Sequence, residues 1–206
     1  MKKIVLASGN AGKLREFSAM FAEHFADQAI EVIPQNQLNV TEAEENGLSF
    51  VENAILKARN AAQQTGLPAL ADDSGIEVDA LNGAPGIYSA RYAQRAGYQG
   101  DESGDAANNA MLLEALTAVA KEQRTARFQC VLVYMRYADD PTPQVFQGSW
   151  EGHIVLNPEG HEGFGYDPLF FVASEQCTAA ELSKEHKNRI SHRGVAMQKL
   201  MAGIKL

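Results

Sequence analysis

Apolar and polar positions along the chain change rhythm several times, and each change marks an element. Residues 4–7 form a short apolar, β-branched run that reads as a strand. Ser8-Gly9-Asn10 breaks it, and Leu14, Phe17, Met20, Phe21 and Phe25 then recur near helical spacing. The chain therefore opens strand–loop–helix. Ser49-Phe50-Val51-Glu52 has the pattern of a capping box, with an apolar face at Val51, Ala54, Ile55, Ala58 and Ala62 before Gly66-Leu67-Pro68 ends the helix. Residues 69–71 and 76–80 read as two strands flanking Asp72-Asp73-Ser74-Gly75. Asn82-Gly83-Ala84-Pro85-Gly86 is a turn cluster.

The second half has fewer helices and more hairpins. Residues 97–104 are a polar loop, and residues 106–119 a helix with Met111, Leu112, Ala115, Leu116 and Val119 inward. Residues 127–137 give the clearest strand pattern; residues 139–143 turn the chain, 144–147 pair back as a hairpin, and 148–155 form another strand. Residues 157–165 carry three glycines and a proline and read as a loop before a strand at 169–172. Thr178-Ala179-Ala180-Glu181 is a second capping box, and Ser191 caps a last helix that runs to about Met201. Alternation early and hairpins late predict an α/β protein with a mixed sheet and helices packed on it. There is no internal repeat and no proline- or serine-rich linker.

Composition narrows the class. The 206 residues fit one domain, or one domain with two lobes. With 45% apolar and 21% charged residues the chain buries a core, which excludes disorder. No apolar run is long enough to span a membrane, and the start mimics a signal peptide for only four residues. Cys130 and Cys177 make no disulfide framework and no CxxC, so reduced thiols in a cytoplasmic protein are expected. A net charge of −8 argues against duplex DNA, RNA polymers or anionic membranes as partners. That charge is uneven. Residues 39–79 hold eight acids and two bases, whereas residues 184–206 hold six bases and one acid. Two solvated faces explain this, and so does a metal site facing a phosphate site.

Five segments carry candidate chemistry. Ser8-Gly9-Asn10-Ala11-Gly12-Lys13 lies where a strand turns into a helix, so its N–H groups and Lys13 suit an anion. Its glycine spacing is not that of a P-loop, and a plain turn with a surface lysine fits as well. Asp72-Asp73 sets two carboxylates at adjacent positions, costly without compensating cations or donors. On a strand they point to opposite faces, which leaves one for a site. Glu42-Ala43-Glu44-Glu45 is either a further oxygen donor to Mg²⁺ or a solvated acidic loop. Gly163-Phe164-Gly165-Tyr166-Asp167-Pro168 offers two aromatics among glycines, either a stacking platform or a cover for the sheet edge. Lys187 with Ser191-His192-Arg193-Gly194 supplies donors suited to a base carbonyl or a phosphate, or simply a capped helix start. No zinc spacing and no nucleophile elbow is present.

Taken together, SGNAGK at 8–13, ENAILKA at 52–58, ADDSG at 71–75, GAPGIYSARY at 83–92, GFGYDP at 163–168 and SHRG at 191–194 resemble the inosine/xanthosine triphosphate pyrophosphatases, the house-cleaning hydrolases of non-canonical purine nucleoside triphosphates. The resemblance covers nearly the whole chain. It implies one two-lobed domain over residues 1–206, an elongated mixed sheet flanked by helices with a central cleft, and a homodimer. It implies Mg²⁺-dependent hydrolysis of ITP, dITP or XTP to the monophosphate and pyrophosphate. Matched motif to motif, Ser8, Gly9, Asn10, Ala11, Gly12 and Lys13 bind the triphosphate. Asp73 is the proton acceptor and a metal ligand, Glu44 the other metal ligand, and Ser74 touches substrate. Phe164, Gly165, Tyr166, Asp167, Lys187, His192 and Arg193 hold the nucleotide, chiefly its base. Two other readings stay open: a metal-dependent pyrophosphatase for other modified nucleotides, and a nucleotide sensor without turnover.

Overall fold

The structure, a computed structural model, describes residues 2–9, 14, 17, 20, 21 and 30–206. Seven strands are found among the described residues: β1 (Lys2–Ala7), β2 (Ile30–Pro34), β3 (Ala69–Val78), β4 (Thr125–Met135), β5 (Gln144–Ile154), β6 (Phe170–Val172) and β7 (Cys177–Thr178). Five α-helices with described bounds accompany them, α1 (Phe50–Thr65), α2 (Tyr92–Ala96), α3 (Gly104–Ala115), α4 (Lys184–Ile190) and α5 (His192–Gly203), and Leu14, Phe17, Met20 and Phe21 are also helical. The strands form one sheet in the order β2-β1-β3-β4-β5-β6-β7. β1 runs parallel to β2 and β3, whereas β6 is antiparallel to β5 and β7. The sheet is mixed and flanked by helices, as expected.

The described chain divides into two compact units: residues 1–73, 130–148 and 195–206, and residues 74–129 and 149–194. In the first, residues 130–135 of β4 show why their run is apolar without a break. Cys130, Leu132 and Tyr134 face one cluster with Phe17, Phe21, Leu70 and Met197. Val131, Val133 and Met135 face the other, with Val5, Ala7 and the alanines of α1. Both faces of the strand are covered, so hydrophobicity no longer alternates. In the second unit one core gathers Ile76, Leu112, Leu116, Phe128, Trp150, Tyr166 and Phe170.

Several boundaries differ from the sequence reading, for physical reasons. Residues 69–78 form one continuous strand through Asp72-Asp73-Ser74-Gly75 rather than two flanking a turn. Side-chain partners, described below, hold the acids inside the strand. Residues 144–154 are likewise a single strand. The 106–119 helix starts at Gly104, after Ser103, and ends at Ala115. The capping box at Thr178 forms, but it opens only a 3₁₀ turn, Ala179–Glu181, because Ser183 starts a new helix whose His186 N–H it accepts. β2 carries no strong sequence signal and was not expected. Phe25 and Asn10–Lys13 lie outside the described residues.

Candidate active site

The first unit holds a charged cluster built by β3 and α1. Ser49 accepts the N–H of Glu52, and Gly66 closes the helix at φ 68°, so the capping pattern fixes where α1 starts and stops. One face of α1 is nearly all alanine, with Ala54, Ala58 and Ala61 fully buried against β1 and β3. Small side chains let the helix approach the sheet closely. Beside that face, Lys57 extends to Asp73, with Nζ 2.6 Å from Oδ1, and reaches Glu45 Oε1 at 3.5 Å. Asn53 Oδ1 accepts the Gly47 N–H at 2.9 Å, tying the acidic loop to the start of the helix.

Asp72 takes the opposite direction along the strand. The Cys130 thiol donates to its Oδ2 at 3.1 Å, and the carboxylate is 1% exposed. The two acids therefore split between faces, as strand alternation requires. Burial alone pulls the Lys57 ammonium down; Asp73, Glu45 and Asp72 together outweigh it and hold its pKa above the ordinary lysine value. Removing Lys57 leaves buried carboxylates facing one another.

The oxygen donors here suit a hard divalent cation. Among the described residues no group of three or more His, Cys, Asp or Glu is arranged to hold a metal. A Mg²⁺ ion needs only one or two carboxylates, with waters and substrate phosphates completing its shell. The ammonium of Lys57, between two carboxylates, shows that a cation fits among these oxygens. Glu44 is exposed in the same loop, and Glu45 is the residue that reaches Lys57. Ser8 is buried and Gly9 exposed at the end of β1. A Cβ at Gly9 would lie 2.1 Å from Glu42 Oε1, the end of an exposed side chain that would have to swing aside. Ser74 follows Asp73 on β3 and is half-buried.

The second unit holds a different cluster. Asp167 and Lys187 are 2% and 8% exposed and pair at 2.5 Å. The Phe164 N–H donates to the same Asp167 oxygen at 2.8 Å. Gly163 allows this turn, since at φ 82° a Cβ would sit 2.1 Å from Asp167 Oδ2. Phe164 is half-buried, with Lys187 Nζ 5.5 Å and the Arg193 guanidinium 5.7 Å from its ring centroid, close enough for cation–π attraction. Gly165 is held at both ends of its peptide: its N–H donates to Asp105 and its carbonyl accepts from Asn109. Tyr166 is part of the core rather than of an open platform. It is 4% exposed, its hydroxyl donates to the Ser89 carbonyl at 2.8 Å, and burial pushes its pKa well up. His192 and Arg193 are 5% and 4% exposed at the start of α5, where Ser191 Oγ accepts the Gly194 N–H.

Lys57 was given no role from the sequence, and Glu45 was read only as one of the acids in the run 42–45. The signal for Lys57 was present: one of only two bases among eight acids, on a helix just past a capping box. For Phe128 and Trp150, which line His192, no local signal exists.

A family model for the Ham1 family matches residues 4–203. The chain belongs to the Ham1 family. It is 61% identical over 199 residues to a dITP/XTP pyrophosphatase of Thioalkalivibrio sulfidiphilus (strain HL-EbGR7), covering 97% of this chain and 96% of that one. It is 56% identical over 204 residues to a dITP/XTP pyrophosphatase of Vibrio cholerae serotype O1, covering 99% and 97%. A solved Ham1 protein from Coxiella burnetii superposes with a TM-score of 0.87 at 50% identity, over 98% of each chain. Ham1 membership thus spans both units and every motif described above. No described helix is long and apolar enough to cross a membrane.

Proposed function

We propose that this protein hydrolyses non-canonical purine nucleoside triphosphates (dITP, ITP and XTP) to the monophosphate and pyrophosphate. It is an enzyme, a nucleoside triphosphate pyrophosphatase that removes these nucleotides from the pool. The observation that carries this is the 61% identity, end to end, with a relative named for that activity. The two charged clusters give it chemical sense. Residues 1–206 act as one two-lobed domain, and the working form is a cytoplasmic homodimer.

Asp73 and Glu44 would hold Mg²⁺, which when bound offsets the negative charge of the triphosphate. Ser8–Lys13 would supply N–H groups and an ammonium to the phosphates. Asp73 accepts the proton of the attacking water. Lys57 keeps that carboxylate in place and shares its charge. Ser74 contacts substrate beside it.

The residues around Phe164 hold the base. Phe164 stacks, Asp167 positions Lys187, and Lys187, His192 and Arg193 supply donors, while Gly165 and Tyr166 shape the loop. Inosine and xanthosine present a carbonyl at C6 where adenosine has an amine. A donor that meets the carbonyl leaves the amine unsatisfied, a loss of about 1–3 kcal/mol.

The test is pyrophosphate release from ITP, dITP, XTP, ATP, GTP and dTTP with Mg²⁺, with EDTA, and in Asp73→Asn. Metal-dependent release from the first three, lost in Asp73→Asn, supports the reading. Release of single phosphate, or equal turnover of ATP and ITP, overturns the specificity. Tight nucleotide binding without turnover replaces the enzyme with a sensor.

A further inference from the structure

The core of the second unit contains an aromatic stack that the proposed chemistry does not use. The His192 imidazole lies flat against Phe128, with centroids 4.7 Å apart and planes 13° apart. Trp150 is nearly parallel to both, 6.4 Å from each, at 20° to His192 and 25° to Phe128. Phe170 wedges against the pair, 4.6 Å from Phe128 and 5.3 Å from Trp150, tilted by 55° and 50°. All three rings of the stack are nearly buried: Phe128 8%, Trp150 7%, His192 5% exposed.

The backbone under His192 is fixed as well. Ser191 caps the helix start, and a Cβ at Gly194 would meet the Asn188 carbonyl at 2.1 Å, so the chain packs closely there. An imidazole with one face on an aromatic ring and its backbone in a capped turn has little rotational freedom. Its edge, which carries the nitrogens, keeps one plane. Hydrogen bonds weaken steeply with angle, so a fixed plane selects one position of a partner atom.

We infer that Phe128, backed by Trp150, is a positioning residue for base selection: it sets the plane in which His192 meets the purine. This rests on the reading of His192 as a base contact and adds the device that makes the contact selective. Phe128 belongs to the aromatic core of the second unit and carries no polar group, so its loss affects discrimination more than chemistry. Trp150 is the chain's single tryptophan, so its fluorescence reports on the stack directly.

The experiment compares Phe128→Leu, Phe128→Tyr and His192→Gln in kcat/KM for ITP and ATP. It adds a fluorescence titration of the wild type with inosine monophosphate. Phe128→Leu lowers the ITP-to-ATP ratio about tenfold, the scale of one well-aligned hydrogen bond, chiefly through KM for ITP. Phe128→Tyr keeps the ring and restores the ratio to within about threefold of wild type. Inosine monophosphate changes Trp150 emission in the wild type and not in His192→Gln. A Phe128→Leu protein with wild-type melting and an unchanged ratio overturns the inference, as does wild-type emission that ignores saturating inosine monophosphate. If Phe128→Leu does not fold, the Phe128→Tyr ratio and the wild-type titration decide. The two levels separate cleanly. An unchanged ratio in His192→Gln sinks the base-contact reading itself, whereas a lowered ratio there with none in folded Phe128→Leu sinks only the role of Phe128.

Discussion

Each unit of the molecule buries a lysine–aspartate pair, and the two pairs are surrounded differently. Lys57–Asp73 closes at 2.6 Å and Lys187–Asp167 at 2.5 Å, and all four side chains are mostly buried. Around Lys57 stand three carboxylates, those of Asp73, Glu45 and Asp72. Around Asp167 stand the ammonium of Lys187, the Phe164 N–H and, across the Phe164 ring, the guanidinium of Arg193. Among the described residues, carboxylates predominate around the first pair and cations around the second. Buried pairs of this kind are weak evidence for stability. Their surroundings say more: the first suits a cation, the second an electron-rich ligand edge.

The largest effect should come from unbalancing the first cluster. Lys57→Met removes the cation that Asp73 and Glu45 share and disturbs the carboxylate that takes the proton. Pyrophosphate release should fall on the order of 10²–10³-fold, the range for losing one buried charged contact at a reacting centre. The same change lowers the melting temperature, and millimolar Mg²⁺ restores part of it, because the exposed demand for a cation is then met. Lys187→Met is the counterpart. It strands Asp167 in the core at a cost of about 3–5 kcal/mol in unfolding free energy, and Mg²⁺ does not recover it. Equal responses to Mg²⁺ in thermal melts of the two variants would show that the clusters do not differ in the way described.

Much of this contrast was legible in the sequence, and the reason for the rest is instructive. Asp73, Lys187, His192 and Arg193 could be named because they stand in short motifs whose chemistry is local. Their surroundings could not. Glu45 rather than Glu44 reaches Lys57, in a loop that Asn53 ties down through a hydrogen bond to Gly47, six residues back, that a run of acids does not reveal. Tyr166 read either as half of an aromatic platform or as a cover for the sheet edge; its partner is Ser89, 77 residues away, and it belongs to the core. The strand through Asp72-Asp73 was read as a break because acids disfavour strands. Here Lys57 and Cys130, from two other elements, compensate them. Local rules failed where tertiary partners overrode propensity, and those are the positions that carry charge.

A gentler change sharpens the comparison without removing any charge. Gly163→Ala places a methyl 2.1 Å from Asp167 Oδ2 and 3.1 Å from Lys187 Nζ, at φ 82°. The left-handed backbone and the crowding together cost about 2 kcal/mol. The pair must shift to accept the methyl, so KM for ITP rises while the metal response of the first cluster stays as in the wild type. A change in Mg²⁺ dependence in this variant would mean that the base-side pair also acts on the metal-side chemistry.

The smallest effect comes from a third ion pair that carries no residual charge. Asp140 is 2% exposed and accepts from the backbone N–H groups of Arg136 and Thr142 and from two nitrogens of the Arg136 guanidinium. Its needs are met within one turn, one acid against one base. The Arg136 hydrogen bonds hold its carboxyl well below the usual carboxylate range. A depressed folded pKa contributes stability that is fully present above the unfolded value, near 3.9, and is lost as pH falls through the folded value. Asp140→Asn should therefore cost about 1 kcal/mol at neutral pH, and the gap between its melting temperature and that of the wild type should narrow steadily as pH falls below about 4. Its rates with ITP and ATP should match the wild type at every pH where both are folded. If Asp140→Asn altered turnover, burial of an ion pair would suffice to mark a site. If only acid stability moves, what surrounds a buried pair is the distinguishing feature, and among the described residues the surroundings of Lys57 and of Asp167 are opposite in sign.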